Sequence, residues 1–238
     1  FFLAPDAPAR RAIEVVGPQR LTVTEVLLAY RNWLGLPKPH LMPLPRWLAR
    51  LMFRFGDFLG LLGWRPPVRS TAEREIVLGA TGDPAQWTAL TGISPRSLAA
   101  ALAAEPASVQ EKWFARLYML KPLVFGVLAA FWLGTGIVSL GPGYGIGLDV
   151  MRAGNVEGPL AVAAVIGGGL TDIAIGLGMI FRRTARLAMI LSLVVSVVYF
   201  ILGTYLVPAL WIDPLGPMMK IWPICVLALV AIAIDDDR

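Results

Sequence analysis

The sequence predicts a mainly α membrane protein: a four-helix transmembrane bundle carrying a small N-terminal α/β remnant on the cytoplasmic side. Three observations predict it. Of 238 residues, 57% are hydrophobic and 16% charged, with a mean hydropathy of +0.68, too apolar for an ordinary soluble domain. Charge is unevenly divided: up to Lys121 there are 15 Lys and Arg against 9 Asp and Glu, and beyond it 6 against 7. Finally, four apolar stretches, near 122–140, 159–181, 187–212 and 215–234, approach the roughly 20 residues a bilayer span requires. The expected division is therefore a water-facing region over 1–106 and a membrane domain over 107–238.

In the first region RAIEVV (11–16) alternates and is β-branched, which predicts a short strand. Gly17-Pro18 breaks it, and Thr22 with Glu25 forms a capping box that opens a helix towards Gly35. KPHLMPL (38–44) reads as a proline-bounded extended piece, so the order is strand, capped helix, strand. Ser70 with Glu73 makes a second capping box. Asp83-Pro84 and Ser94-Pro95 read as N-cap and N1 pairs of two short helices, and Ser108 with Glu111 starts a helix that feeds the first span.

The stretch 45–64 has a different character. Arg46, Arg50, Arg54 and Asp57 form one narrow charged stripe, while Trp47 and several phenylalanines spread over the rest. Two readings stay open: a core helix with an arginine edge, or a helix lying in the membrane interface with its arginines among the headgroups. A basic region beside a membrane suits the anionic cytoplasmic leaflet. Nucleic acid is excluded as a partner, since no aromatic-basic motif or zinc-finger spacing occurs.

Site chemistry is sparse. The single Cys225 rules out an internal disulfide or a multi-cysteine metal site, and the lone His40 sits among prolines. No metal ligand set and no catalytic residue is assigned. The dinucleotide glycine motif, the phosphate loop and the serine elbow are all missing, and Tyr118 and Lys121 are three apart rather than four.

The second span contains the residue that stands out. Asp172 lies near the middle of PLAVAAVIGGGLTDIAIGLGMIF (159–181), flanked at four residues either side by Gly168 and Gly176. A carboxylate at that depth costs at least ~2.5–3.5 kcal/mol on insertion scales, so it belongs in the bundle interior with a partner. Span three offers Ser192, Ser196 and Tyr199 on one face, and counting residues from the cytoplasmic ends puts Ser196 level with Asp172. Ser196 is therefore expected to hold the acid, with Ser192 or Tyr199 assisting. Lys220 is the available countercharge but starts nearer the outer surface. In span one, Gly126, Ala130 and Gly134 form a small-residue face for helix contact. The five residues hold either a packing contact or a polar pocket for a quinone-like ligand.

RRTAR (182–186) reads as the loop between spans two and three. With Arg116 and Lys121 before span one, the positive-inside rule makes both termini cytoplasmic in a bacterial inner membrane. The chain begins Phe-Phe without a signal peptide, and is expected to start inside a longer gene product or after a cut.

Two resemblances follow from motifs. RAIEVVGPQRLTVTEVL, PLPRWLARL and LTGISPRSLAAAL within 1–104 resemble the C-terminal substrate-side part of atypical short-chain dehydrogenases. That likeness implies a history in NAD(P)-linked chemistry, with NAD(P) expected only where an upstream dinucleotide-binding domain is present. DIAIG (172–176) and WIDPLGPMMKIWP (211–223) resemble the DoxX-like family of four-helix membrane proteins, with Ile221 where that pattern often has Asn. Relatives in that family include membrane subunits of thiosulfate:quinone oxidoreductases. Together the resemblances imply the membrane part of an NAD(P)-linked oxidoreductase acting on a quinone or other lipid-soluble substrate. The alternative is a non-catalytic anchor or accessory subunit that docks a soluble redox partner, so enzyme status stays open.

Overall fold

The computed structural model describes residues 12–235, apart from the Met119 side chain. Among the described residues the chain is helical and forms no strand. Residues 12–16 form no regular secondary structure, and Arg11 lies outside the described part. The expected α/β character therefore fails: the alternating segment meets no second strand with which to form a ladder. The chain divides into two compact units. One comprises the chain up to Phe58 with Pro66–Ala115; the other comprises Leu59–Arg65 and everything from Arg116 onward.

In the first unit, α1 (Val23–Trp33) opens on the expected capping box, with the Glu25 amide bonded to Thr22 Oγ1 at 3.2 Å. Helix α2 (Arg46–Leu61) is followed by α3 (Ser70–Leu78), α4 (Ala85–Thr91) and α5 (Leu98–Ala104). Two predicted starts are corrected. Ser70 is the first residue of α3 rather than its cap, and its amide bonds Asp57 Oδ1 at 3.2 Å. Helix α5 starts on Ser97, whose hydroxyl accepts from the Ala100 amide, and not on Ser94-Pro95. Asp83 does serve α4, accepting the Ala85 amide at 2.9 Å.

The long helix α6 (Val109–Leu140) enters the second unit at Arg116 and begins at Ser108, which exchanges bonds with Glu111 and Gln110. Then come α7 (Tyr144–Ala153), α8 (Gly158–Ile180), α9 (Arg182–Leu206), a 3-10 turn over Pro208–Trp211, and α10 (Pro217–Ala233). Among the described residues, three helical stretches are long and apolar enough to cross a membrane: Leu120–Leu140, α8 and α9. Helix α10 is apolar but shorter, at 17 residues.

Several boundaries differ from expectation for identifiable reasons. RRTAR is no loop. Phe181 alone, in extended conformation, separates α8 from α9, and Arg182 already begins the next helix. Span three therefore runs five residues earlier than expected and stops at Leu206, because Pro208 cannot continue the ladder. Helix α7, in a stretch with three glycines at its start, was not anticipated at all.

Close packing of α6 on α8 is set by other glycines than those expected. Gly126 and Gly134 have open space where a Cβ would sit, and Ala130 is exposed. Instead, a Cβ on Gly136 would lie 2.6 Å from the Gly169 carbonyl, and one on Gly176 2.7 Å from the Leu133 amide nitrogen. Small residues mark helix contact only on the face that is turned inward. The core beneath these contacts is built from Leu128, Trp132, Ile175, Met179 and Met189, with Ala185, Ala188 and Ala231 admitting close approach.

One end of this unit is knitted together. Trp64 Nε1 donates to the Ile180 carbonyl at 2.7 Å and the Arg182 amide donates to the Leu62 carbonyl at 3.0 Å. Helix ends otherwise leave such groups unsatisfied. Arg182 Nη1 lies 3.2 Å from Oδ1 of Asp235, which is 2% exposed, and Lys121 Nζ reaches the Asp235 carbonyl at 3.5 Å. At the other end of α9, a Cβ on Gly203 would meet the Met218 sulfur at 2.8 Å. Helix α10 thus runs alongside α9 from one end to the other.

Candidate functional site

A cavity of about 100 Å³ lies at mid-depth in the second unit, lined by Trp132 and Thr135 of α6, Asp172 of α8, Ser196 and Tyr199 of α9, and Ile221 of α10. Four helices contribute, and α6 and α9 each present two polar groups three residues apart. Asp172 is buried, and its Oδ1 accepts a hydrogen bond of 2.9 Å from the Tyr199 hydroxyl.

The tyrosine is the partner because side chains lean towards the start of their own helix. Helices α8 and α9 are antiparallel about the Phe181 corner, so Asp172 leans away from that corner and Tyr199 leans back towards it. The two meet although their backbone depths differ. Gly168 makes the room: a Cβ there would stand 3.1 Å from the Tyr199 hydroxyl. Gly176, the other neighbour of Asp172, faces Leu133 of α6 instead.

The five residues singled out from the sequence are thus treated differently by the fold. Asp172 and Tyr199 are bonded, and Ser196 lines the same cavity. Ser192 is buried but donates to the Met189 carbonyl of its own helix at 2.7 Å. Lys220 is exposed near the start of α10 and does not line the cavity. Counting backbone depth from residue 187 put Ser196 first, and the earlier start of α9 removes that register.

Two lining residues with polar groups were missed. Thr135 bonds back to the Trp132 carbonyl at 3.0 Å, and Trp132 is 2% exposed with its indole N–H unpartnered. The signal was available, since the two lie three apart on span one at the depth of Asp172, but a tryptophan inside an apolar run reads first as packing. No group of three or more metal-ligating side chains occurs among the described residues.

The 211–223 motif has a structural part to play. Trp211 Nε1 donates to Thr204 at 3.2 Å, the Leu215 amide bonds Asp213, and Gly216 takes φ +58° to start α10. The left-handed conformation there favours glycine. Residues 129–229 match the model of the DoxX-like family. Every residue named as lining the cavity falls inside this DoxX-like segment, whereas Trp64, Lys121 and Asp235 fall outside it. No curated protein and no solved structure gives a significant match.

Proposed function

We propose that the DoxX-like segment binds a small lipid-soluble molecule through an oxygen atom, with a quinone-type carbonyl as the leading candidate. The observation that carries this reading is the buried, unpartnered Trp132 N–H beside the Asp172–Tyr199 pair. A buried donor without an acceptor costs about 1–3 kcal/mol, which a ligand oxygen would recover. Tyr199 is 37% exposed on the outside of the unit, and Phe131, another lining residue, is exposed beside it, so the mouth faces hydrocarbon. The volume matters too. A cavity near 150 Å³ is needed for a benzene-sized ring, so a quinone would insert its carbonyl edge and leave its tail among the lipids.

In this reading α10 is a fourth crossing. Its 17 residues fall at the short end of the spanning range. Lys121, Arg182 and Arg183 then lie at one end of the bundle, which the positive-inside rule assigns to the cytoplasm of an inner-membrane protein. A redox role rests on the DoxX-like resemblance, with an NAD(P)-linked partner as the electron source. A non-catalytic anchor is the second reading, favoured by the missing dinucleotide glycine motif.

The test is binding of a short-tailed benzoquinone to the purified chain in nanodiscs, against an alkylbenzene of equal tail length. Saturable binding of the quinone alone is expected, about 2–10-fold weaker in Trp132→Phe, the loss of one net hydrogen bond. Equal, unsaturable partitioning of both compounds would leave the anchor reading.

A further inference from the structure

We infer that α2 lies in the membrane interface, with its aromatic face in the acyl boundary and its arginines on anionic lipid headgroups. The roll of this helix is fixed by one contact. Gly56, the buried residue of α2, sits against the backbone after it turns: a Cβ there would lie 1.7 Å from the Val68 carbonyl oxygen. That contact commits the Gly56 side to the protein and turns the opposite side outward.

The outward side is divided lengthwise. At about 100° per residue, Arg46, Arg50 and Arg54 occupy one edge, and Trp47, Leu51, Phe55 and Phe58 a continuous strip beside it. Trp47 is 68% exposed and Phe55 57% exposed. An apolar strip of that width in water favours burial, and an arginine edge next to it is the arrangement of helices lying at a bilayer surface. Asp57, the acid on the same edge, is occupied by Arg69 at 3.5 Å and by the Ser70 amide, which leaves the arginines to set the sign of that edge.

A lipid surface is the occupant the chain itself supplies. Helix α2 runs without a break into Leu59–Arg65, which belongs to the unit of the spanning helices. The chain itself therefore keeps α2 near any bilayer those helices cross, an advantage no separate protein has. Anionic headgroups complement three arginines spaced one turn apart.

Spin-label accessibility in nanodiscs tests this on the full chain, in a Cys225→Ser background. Labels at Leu51→Cys and Phe55→Cys are expected to collide with oxygen several-fold more often, relative to a water-soluble nickel chelate, than a label at the exposed Gln19→Cys. A ratio equal to that of Gln19→Cys would overturn the proposal by showing the face in water. Exclusion of both reagents would overturn it by showing a protein cover, such as a second copy. The arginine part is read separately. Changing from neutral to anionic discs is expected to raise the ratio at Leu51→Cys, and the rise should vanish in Arg46→Gln/Arg50→Gln/Arg54→Gln. A rise that survives this triple change would refute the headgroup contacts.

Discussion

Helices α1 and α5 start on side-chain caps, and α3 and α4 borrow their first acceptors from Asp57 and Asp83. Helices α7, α8, α9 and α10 start with no side-chain cap at all. Burial divides the same way. In the first unit the buried class holds only Gly56 among the described residues, whereas the second unit carries the apolar core from Phe125 to Ala231. The first unit is thus specified largely by hydrogen bonds, short-range ones at its helix starts and two long-range ones, from Trp33 Nε1 to the Glu105 carbonyl and from the Asp83 amide to Glu14. The second is specified by apolar length, and by a few glycines and charges that fix one helix against another. In water a cap is worth ~1 kcal/mol and helps decide where a helix begins. In hydrocarbon the backbone must bond internally anyway, so helices form without caps and specificity moves to the contacts between them.

The strongest way to break this contrast is at the knitted end. Arg182→Ala would leave Asp235 buried opposite an alanine. Removing one partner of a buried pair costs about 3–5 kcal/mol, and the residual exposure of Arg182 points to the lower figure. Denaturation in mixed detergent micelles should show that loss. Arg182→Met with Asp235→Leu together should recover most of it. No change on Arg182→Ala would mean the pair is idle.

A smaller effect separates the glycines. Gly136→Ala drives a methyl group into the Gly169 carbonyl and the Ile173 backbone, neither of which is a movable side-chain tip. Overpacking of this kind costs about 1–3 kcal/mol. Gly126→Ala, ten residues earlier on the same helix, meets open space and should stay within ~0.5 kcal/mol of the parent in the same micelle assay. Equal effects at the two positions would show that helix propensity, not contact, governs them.

These contrasts also explain what could be read in advance. Asp172 was legible because an acid inside an apolar run is costly wherever it lies. The Thr22 and Ser108 boxes were legible because donor and acceptor are three residues apart. Tyr199 was named but placed behind Ser196, since counting along a helix gives backbone depth and not the lean of a long side chain. Gly136, Gly169 and Trp132 were passed over because a helix in lipid is apolar all round, so hydropathy does not say which face turns inward. The burial of Asp235 is explained only by the position of Arg182 across the corner. The strand expected at 11–16 was a local pattern, and over 12–16 it finds no ladder partner among the described residues, which sequence alternation cannot reveal.

The smallest effect sharpens the contrast from the side of the first unit. The Asp57 carboxyl is held below its ordinary range, chiefly by the hydrogen bonds at Ser70 and also by the neighbouring Arg69 guanidinium, against a smaller opposing push from burial. A carboxylate favoured in the folded state adds stability above its unfolded pKa of about 3.9, and loses it as pH falls through the lower folded value. Acidifying from about pH 5 to about pH 3 should therefore loosen the start of α3. Hydrogen exchange at the Ser70 amide, corrected for intrinsic rate, should rise over that interval, while amides around Met189 in α9 should not follow it. In Asp57→Asn the amide oxygen can still accept from Ser70 but carries no charge to lose. Its exchange should be slightly faster than the parent's at the upper pH and flat on acidification. If the variant shows the same acid-side rise as the parent, another group governs that end of α3, and the helix is not secured by the carboxylate that borders α2.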